Sequence, residues 1–404
     1  MQNLYSIAVR LIRWILYIVP ISGKTKQFVD GRKRIWDDIK MIPNDKEIIW
    51  MHCASLGEYE QGLPILKALK AKRPQAFYLV SFFSPSGYLV KKTHQEADLT
   101  TYLPWDNRTD VRRFVNKVQP AKVLFVKYEF WPNLLIELQK QKIPTYLIAG
   151  LFQPHQLFFK PWGRWFRKIL NGFSHIFVQN KGSHELLTAI GVKQVSISGD
   201  TRYDRVQQQK QNLPMIKTFV GHRKCIVAGS TWPQDIAVLK DTIAQTPNDW
   251  CWLIAPHEIN KQHTKLLMDQ LPSTSQRFTT RDEDKLSQAA VLVLDTIGLL
   301  SSCYQCGQIA YVGGGMGTKG LHNILEPAAA GIPIVVGKNY DRFPEAVELV
   351  QKGGVVSIAS QQEARKNLLL LMQDNKIRKE KGDINQRFIQ ANIGATKRVL
   401  DKLG

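Results

Sequence analysis

Residues 311–337 read YVGGGMGTKGLHNILEPAAAGIPIVVG. The stretch leaves a buried strand, passes Gly313, Gly314, Gly315, Gly317 and Gly320, opens a helix near Asn323 with Glu326 three residues on, and returns to a second strand. Strand, helix and strand in so few residues is a parallel βαβ unit. Glycine costs backbone entropy wherever it is not needed. Five of them in the eight positions from Gly313 to Gly320 therefore point to backbone N–H groups approaching an anionic group, assisted by the amino end of the helix. The stretch has no Gly-Lys-Ser/Thr and does not lie near the chain start, which excludes a Walker loop and a dinucleotide fingerprint. A ligand-free alternative stays open, with Asn323 and Glu326 as a helix cap and the glycines as turns.

Working outward, apolar runs alternate with amphipathic segments from residue 47 to residue 360. EIIWMH (47–52), FYLVSFF (77–83), KVLFVK (122–127), TYLIAG (145–150), HIFVQN (175–180) and VSISGD (195–200) are continuous rather than alternating, as strands covered on both faces should be. After a polar stretch the pattern restarts with KCIVAGS (224–230), CWLIAP (251–256), AAVLVLD (289–295), IAYVGG (309–314) and IPIVVG (332–337). The reading is α/β, with two successive doubly wound parallel-sheet domains. It divides the chain into a membrane-associated segment (1–34), a first Rossmann-like domain (35–206), a linker (207–221), a second Rossmann-like domain (222–375) and carboxy-terminal helices (376–404). Two such domains put the carboxyl ends of their strands at a shared cleft, so site residues are expected just after strands.

HCASLGEYEQG (52–62) runs from a strand into a helix and places Glu58 at the mouth of that cleft, where a carboxylate can serve as general base for an alcohol. Ser55 and Glu58 also have capping-box spacing, which explains both residues without chemistry. In VKYEFWPNLL (126–135), Glu129 stands at a strand's carboxyl end before a proline-started helix, with Trp131 read as core. Pro256 and His257 end one strand of the second domain, and Asp295 to Gly298 end another. Asp282 and Asp284 match an Asp-x-Asp pattern but read as a solvated turn. Cys303 and Cys306 read as reduced helical cysteines without zinc partners.

The chain has 404 residues, 44% of them apolar, which excludes a disordered tail and a small disulfide scaffold. Five cysteines, odd in number, fit a reducing compartment. The formal net charge of +21 calls for an anionic partner. From Leu4 to Ile21 the chain is apolar apart from Arg10 and Arg13, and Lys24, Lys26, Arg32, Lys33 and Arg34 follow. Spanning a bilayer takes ~20 apolar residues. Two arginines, each costing roughly 2.5–3.5 kcal/mol at the bilayer centre, favour an interfacial helix on the cytoplasmic face whose arginines snorkel to phosphates. An ordinary core helix is the alternative.

The motifs HCASLGEYEQ, FSPSG (83–87), YLPWDN (102–107), YEFWPN (128–133), GDTRYD (199–204), AGSTW (228–232), PHE (256–258), DTIG (295–298) and the glycine stretch occur in one order. In that order the sequence resembles the 3-deoxy-D-manno-oct-2-ulosonic acid (Kdo) transferases of lipid A and lipopolysaccharide synthesis, over roughly residues 47 to 350. The resemblance implies GT-B architecture, with two Rossmann-like domains and a cleft between them. It also implies an inverting transfer from CMP-Kdo to an acylated diglucosamine bisphosphate lipid A precursor, without metal or cofactor, at the cytoplasmic face of the inner membrane. By motif it assigns Glu58 as general base and Glu129 as a second catalytic glutamate. It assigns Pro256, His257, Ile297, Gly298, Leu299, Asn323, Ile324, Leu325 and Glu326 as CMP contacts, with the Gly313–Gly320 loop at the phosphate. Lys127 and Leu299 stand where the family pattern has glutamates. A UDP-sugar donor would suit the same glycine loop. A basic nucleic-acid binder would need a reading motif or an aromatic-basic stripe, and the sequence has neither, so nucleic acid is not an expected partner.

Overall fold

In a computed structural model, residues 1–91, 96–208 and 212–404 are described. The chain forms two compact units, Met1–Arg205 with Ile393–Gly404, and Val206–Asn392.

The first unit is built on a parallel sheet of seven strands: β1 (Ile48–Cys53), β2 (Phe77–Phe82), β3 (Leu99–Tyr102), β4 (Lys122–Val126), β5 (Thr145–Gly150), β6 (His175–Val178) and β7 (Val195–Ile197). Their order is β3-β2-β1-β4-β5-β6-β7, so the winding direction reverses between β1 and β4. All six residues of β1 and all five of β4 are buried, because helices cover both sheet faces. Trp50 at the centre of β1 is fully enclosed and still satisfies its indole N–H, which donates to Ser81 Oγ at 2.7 Å.

The second unit repeats the plan with β8 (Lys224–Thr231), β9 (Trp250–Pro256), β10 (Gln276–Arg277), β11 (Val291–Val293), β12 (Ile309–Val312), β13 (Ile334–Gly337) and β14 (Val355–Ile358). The order β10-β11-β9-β8-β12-β13-β14 reverses between β8 and β12. Strands β3, β10 and β14 were not among the apolar runs of the sequence. β3 is LTTY, β10 has only two residues, and β14 is half covered at Val356 and Ser357.

The polar stretch between the two strand series contains a helix, Pro214–Val220, with Ile216 and Phe219 buried; residues 209–211 lie outside the described residues. The helices Gln361–Gln373 and Asn375–Asn392 belong to the second unit, whereas Ala395–Leu403 returns to the first and packs on the helix Leu56–Lys72. Asp204 fixes that return, since its carboxylate accepts from the amides of Gly394 at 2.5 Å and Thr396 at 2.6 Å. Val399, Leu400 and Leu403 then join the first unit's core. Leu403→Ala should destabilise the first unit by about 2–5 kcal/mol, the usual cost of a buried leucine. Denaturant unfolding of the full chain, read by a probe confined to the first unit, measures this shift.

Candidate functional site

Parallel strands buried on both faces deliver polar groups to their carboxyl ends, and most usefully where the winding reverses. In the first unit that point lies between β1, which leads to Glu58, and β4, which leads to Glu129.

Glu58 is half-buried in the first turn of the helix Leu56–Lys72. Its Oε2 accepts from the Ser55 amide at 3.1 Å and from the Ser55 hydroxyl, while Ser55 Oγ accepts from the Gly57 amide at 3.3 Å. The capping box is therefore real. It also holds a carboxylate at the carboxyl end of β1.

Glu129 is buried, and its Oε2 accepts from Trp131 Nε1 at 2.7 Å and from His52 Nε2 at 2.9 Å. His52 Nδ1 lies 2.8 Å from Ser81 Oγ. Nδ1 also lies 3.1 Å from the Ser81 carbonyl oxygen, and because a carboxylate only accepts, it is Nε2 that carries a proton towards Glu129. Trp50, Ser81, His52 and Glu129 thus form one satisfied chain running from β1 and β2 to the loop after β4. Sequence reading missed His52 and took Trp131 for core. The available signal was a histidine inside an otherwise apolar strand, next to a loop carrying acids. Lys127, between β4 and Glu129, holds φ at +66°, a conformation that bulky side chains rarely adopt.

In the second unit the reversal lies between β8 and β12, and a buried carboxylate ties them. Asp235 is fully enclosed; it accepts from the Tyr311 hydroxyl at 2.7 Å, the Gly314 amide at 2.9 Å and the Trp232 amide at 2.8 Å. The glycine loop is packed as tightly as it is tied. Gly314 has φ +93°, and a Cβ there would lie 2.1 Å from the Gly320 carbonyl oxygen. Gly315 crosses Gly337 of β13 so closely that a Cβ on Gly337 would meet the Gly315 carbonyl carbon at 2.2 Å. The Gly313 and Gly314 amides are engaged internally, on Gly229 O and Asp235, so these two glycines serve backbone packing. Gly317 is different: a Cβ there would make only ordinary contacts with Gln234.

The other donor-side candidates follow strands as expected. His257 follows β9, and its amide donates to Thr231 O at 3.0 Å, joining the ends of β9 and β8. Its ring stacks on Trp232 (centroids 4.5 Å apart) and on His322 (4.3 Å), and Trp232 Nε1 donates to His322 Nε2 at 3.1 Å. This aromatic stack, whose Trp232 and His322 went unnoticed in the sequence, brings Pro256 and His257 to the segment Asn323–Glu326. Asn323 is exposed and accepts from the Leu325 amide at 3.0 Å; Ile324 and Leu325 are buried and Glu326 is half-buried at the start of a short helix, Leu325–Ala329. Ile297, Gly298 and Leu299 lie on the loop after β11 and take no part in the stack. Ile297 is 88% exposed, an unusual state for an isoleucine, and its loop is anchored by Asp295, which accepts from Arg277 and Thr279. Asp282 lies in an exposed turn paired with Lys285, and Cys303 and Cys306 carry free thiols, that of Cys303 pushed up to about 12 by burial. Among the described residues no cluster of three or more His, Cys, Asp or Glu could hold a metal ion.

Two parallel seven-stranded, doubly wound units of this kind recur in solved structures. The UDP-GlcNAc 2-epimerase from Neisseria meningitidis, solved with UDP-GlcNAc, is similar with a TM-score of 0.61 at 15% identity, over 88% of this chain and 99% of that one. A putative UDP-N-acetylglucosamine 2-epimerase from Listeria monocytogenes gives 0.58 at 14%, over 88% and 95%. At such identities the likeness is one of fold.

Sequence comparison goes further. A family model described as 3-Deoxy-D-manno-octulosonic-acid transferase (kdotransferase) matches residues 30–205. The 3-deoxy-D-manno-octulosonic acid transferase of Haemophilus influenzae is 28% identical over 88% of this chain and 86% of its own length, and that of Aquifex aeolicus 28% over 78% and 82%. Over most of its length the chain is thus similar to these transferases.

The histidine stack carries a pH dependence. Burial, followed by the neighbouring His257, lowers the pKa of His322 from 6.5 to about 4. Between those values an unfolded chain binds a proton that the folded ring refuses. The stability of the second unit should be full above about pH 6.5, decline toward pH 4 and level off below. His322→Phe should flatten that decline when urea unfolding is repeated across the window.

Proposed function

We propose that this chain transfers Kdo from CMP-Kdo to a hydroxyl of an acylated diglucosamine bisphosphate, the lipid A precursor, in lipopolysaccharide synthesis. The reading rests above all on Glu58, a carboxylate fixed at the winding reversal of the first unit in a chain similar to these transferases. In the GT-B reading the first unit carries the acceptor and the second the donor.

Glu58 removes the proton from the acceptor hydroxyl, the oxygen forms a bond to the anomeric carbon of Kdo from the face opposite the nucleotide, and the bond to the CMP phosphate oxygen breaks. The configuration inverts, and no metal is needed. Glu129, held by His52 and Trp131, places a second negative charge near the reacting centre, where positive character develops on the anomeric carbon. In the second unit, the amides around Gly317 to Gly320 receive the departing phosphate. Glu326 accepts from ribose hydroxyls, and Pro256, His257 and Gly298 frame the cytidine, with the exposed Ile297 as an apolar surface for it.

The amino-terminal helix, Gln2–Ile18, supports attachment to a membrane surface because its outward face is apolar. Gln2, Ser6 and Arg13 make polar contacts with the protein, and Ser6 is buried. Ser6 and Gln2 contact Asn133, and Arg13 pairs with Asp110 at 2.5 Å. Leu4, Ile7, Leu11, Trp14, Ile15 and Ile18 face outward, each about half exposed or more. Of the two arginines expected to reach lipid phosphates, Arg13 pairs with Asp110, whereas Arg10 is exposed beside Thr109. No helix among the described residues is long and apolar enough to cross a membrane, so the proposed mode is interfacial, on the cytoplasmic face of the inner membrane.

Removing the general base should cut turnover by about 10²–10⁴-fold. Glu58→Ala, assayed with labelled CMP-Kdo and the acylated acceptor, tests this; a folded variant with near-normal turnover overturns the assignment. CMP should also protect the wild type against thermal unfolding more than UDP does. Separately, Leu11→Glu combined with Trp14→Glu should abolish co-sedimentation with vesicles containing phosphatidylglycerol, and retained binding would refute the interfacial helix.

A further inference from the structure

Between Glu137 and Glu185 the chain carries seven Lys and Arg and no acid, a third of its net charge of +21. The middle of that stretch, LFFKPWGRWFRK (157–168), takes no part in the chemistry above. It folds as two short turns, Leu157–Phe159 and Pro161–Gly163, followed by the helix Arg164–Leu170. Of its five aromatic rings only Trp162 is exposed. Phe158 is buried against Phe130, Phe152 and Phe166 and joins the core of the first unit.

The two turns are locked. Arg167 reaches back to donate to the carbonyls of Phe158 at 3.4 Å, Lys160 at 3.3 Å and Pro161 at 3.4 Å, and a Cβ on Gly163 would lie 1.9 Å from the Leu157 carbonyl oxygen. Leu157 and Trp162 are therefore held outward, 49% and 71% exposed. Arg164 and Lys168, four residues apart on one helix face, are exposed as well and pair with no acid among the described residues. A locked turn cannot tuck a large ring away from water, so its outward setting stabilises nothing in the fold. Tryptophan and leucine beside unneutralised cations suit the interface of an anionic bilayer, where the ring rests at headgroup level and the cations meet phosphates. The segment lies beside the amino-terminal helix, since the rings of Tyr5 and Trp165 are 6.2 Å apart. A single exposed ring, with the other four covered wholly or in part, offers no row of faces on which bases could stack.

We propose that this segment is a second membrane contact: Leu157 and Trp162 enter the headgroup layer of a bilayer containing anionic phospholipid, while Arg164 and Lys168 bind its lipid phosphates. The inference rests on the membrane-surface reading of the amino-terminal helix and adds a separate foothold to it. Two weak interfacial elements on one rigid unit multiply their affinities, because the first to bind raises the effective concentration of the second at the surface. Phe130, the residue after Glu129, packs its ring on Phe158 at 4.8 Å, so the segment's seat on the bilayer is tied to the loop that presents Glu129.

Co-sedimentation of the full-length protein with vesicles of phosphatidylcholine, alone or with about one-third phosphatidylglycerol, tests this. Arg164→Gln combined with Lys168→Gln should weaken binding to the anionic vesicles about thirtyfold, a factor of about five for each cation, and change binding to the neutral ones by less than about twofold. Trp162→Ala should weaken binding to both by about tenfold. These side chains are exposed, so the variants should unfold thermally as the wild type does. Wild-type affinity in either variant overturns the proposal, as does a wild type that binds neither kind of vesicle. If Leu11→Glu with Trp14→Glu abolishes binding while the segment variants bind normally, the helix reading stands and the second contact falls. If the helix variant binds normally while Trp162→Ala is weakened, the second contact stands and the helix reading falls. Salt-sensitive binding of single-stranded RNA that the segment variants lose, with vesicle binding intact, assigns the surface to nucleic acid and overturns the proposal.

Discussion

A strand covered on both faces has no side chain free for chemistry, and two sheets of such strands leave function only at their carboxyl ends. This constraint shapes the whole molecule. At each reversal of winding the chain must turn sharply off a rigid strand without stranding polar groups in the interior. It does so with left-handed backbone at Lys127, Ala149 and Ser230, all three at the ends of central strands or just beyond them. Buried carboxylates absorb the resulting loose donors. Glu129 takes the indole and imidazole of Trp131 and His52, and Asp235 takes two amides and a phenol. These acids are held by several donors each, so the loops they serve are preorganised before any substrate arrives.

The same constraint explains what could be read from sequence. Central strands such as β1, β4, β8 and β9 are continuous apolar runs because both faces are covered, and their positions were plain. β3 is threonine-rich, β10 is two residues long and β14 carries a half-exposed centre, so each lost the signal that burial writes into composition. Site residues divide in the same way. Glu58 was visible, yet its spacing served a cap and a base equally well; the structure shows the cap, and the role of base belongs to the proposed function. His52 was hidden inside an apolar run, since only the pairing of β1 with β2 and β4 brings Ser81 and Glu129 to its two nitrogens. The glycine loop was legible as unusual but not for the right reason at every position. Gly314 and Gly315 are required by backbone packing against Gly320 and Gly337, a contact between segments that composition does not record. Trp232 and His322 became notable only when folding stacked them on His257.

The amino-terminal helix carries the argument one step further, because its attachment and the Glu129 loop share a single turn. An amphipathic helix in water buries its apolar stripe; this one leaves Leu4, Ile7, Leu11, Trp14, Ile15 and Ile18 exposed and is fastened to the first unit through polar partners. Those partners are Asn133, Asp110 and Asp106. Asp106 simultaneously accepts the amides of Asn133 and Leu134, which open the helix Pro132–Lys140, and Trp131 immediately before it holds Glu129. From Tyr5 through Asp106, Asn133 and Pro132 to Trp131, Glu129 and His52, every link is a hydrogen bond or an adjoining residue. The orientation of the outer helix and the placement of Glu129 are therefore set by the same buried carboxylate. Under the proposed function, with the acceptor at a membrane surface, such a link would let the depth at which the helix rests also fix the height of the reacting groups above the bilayer.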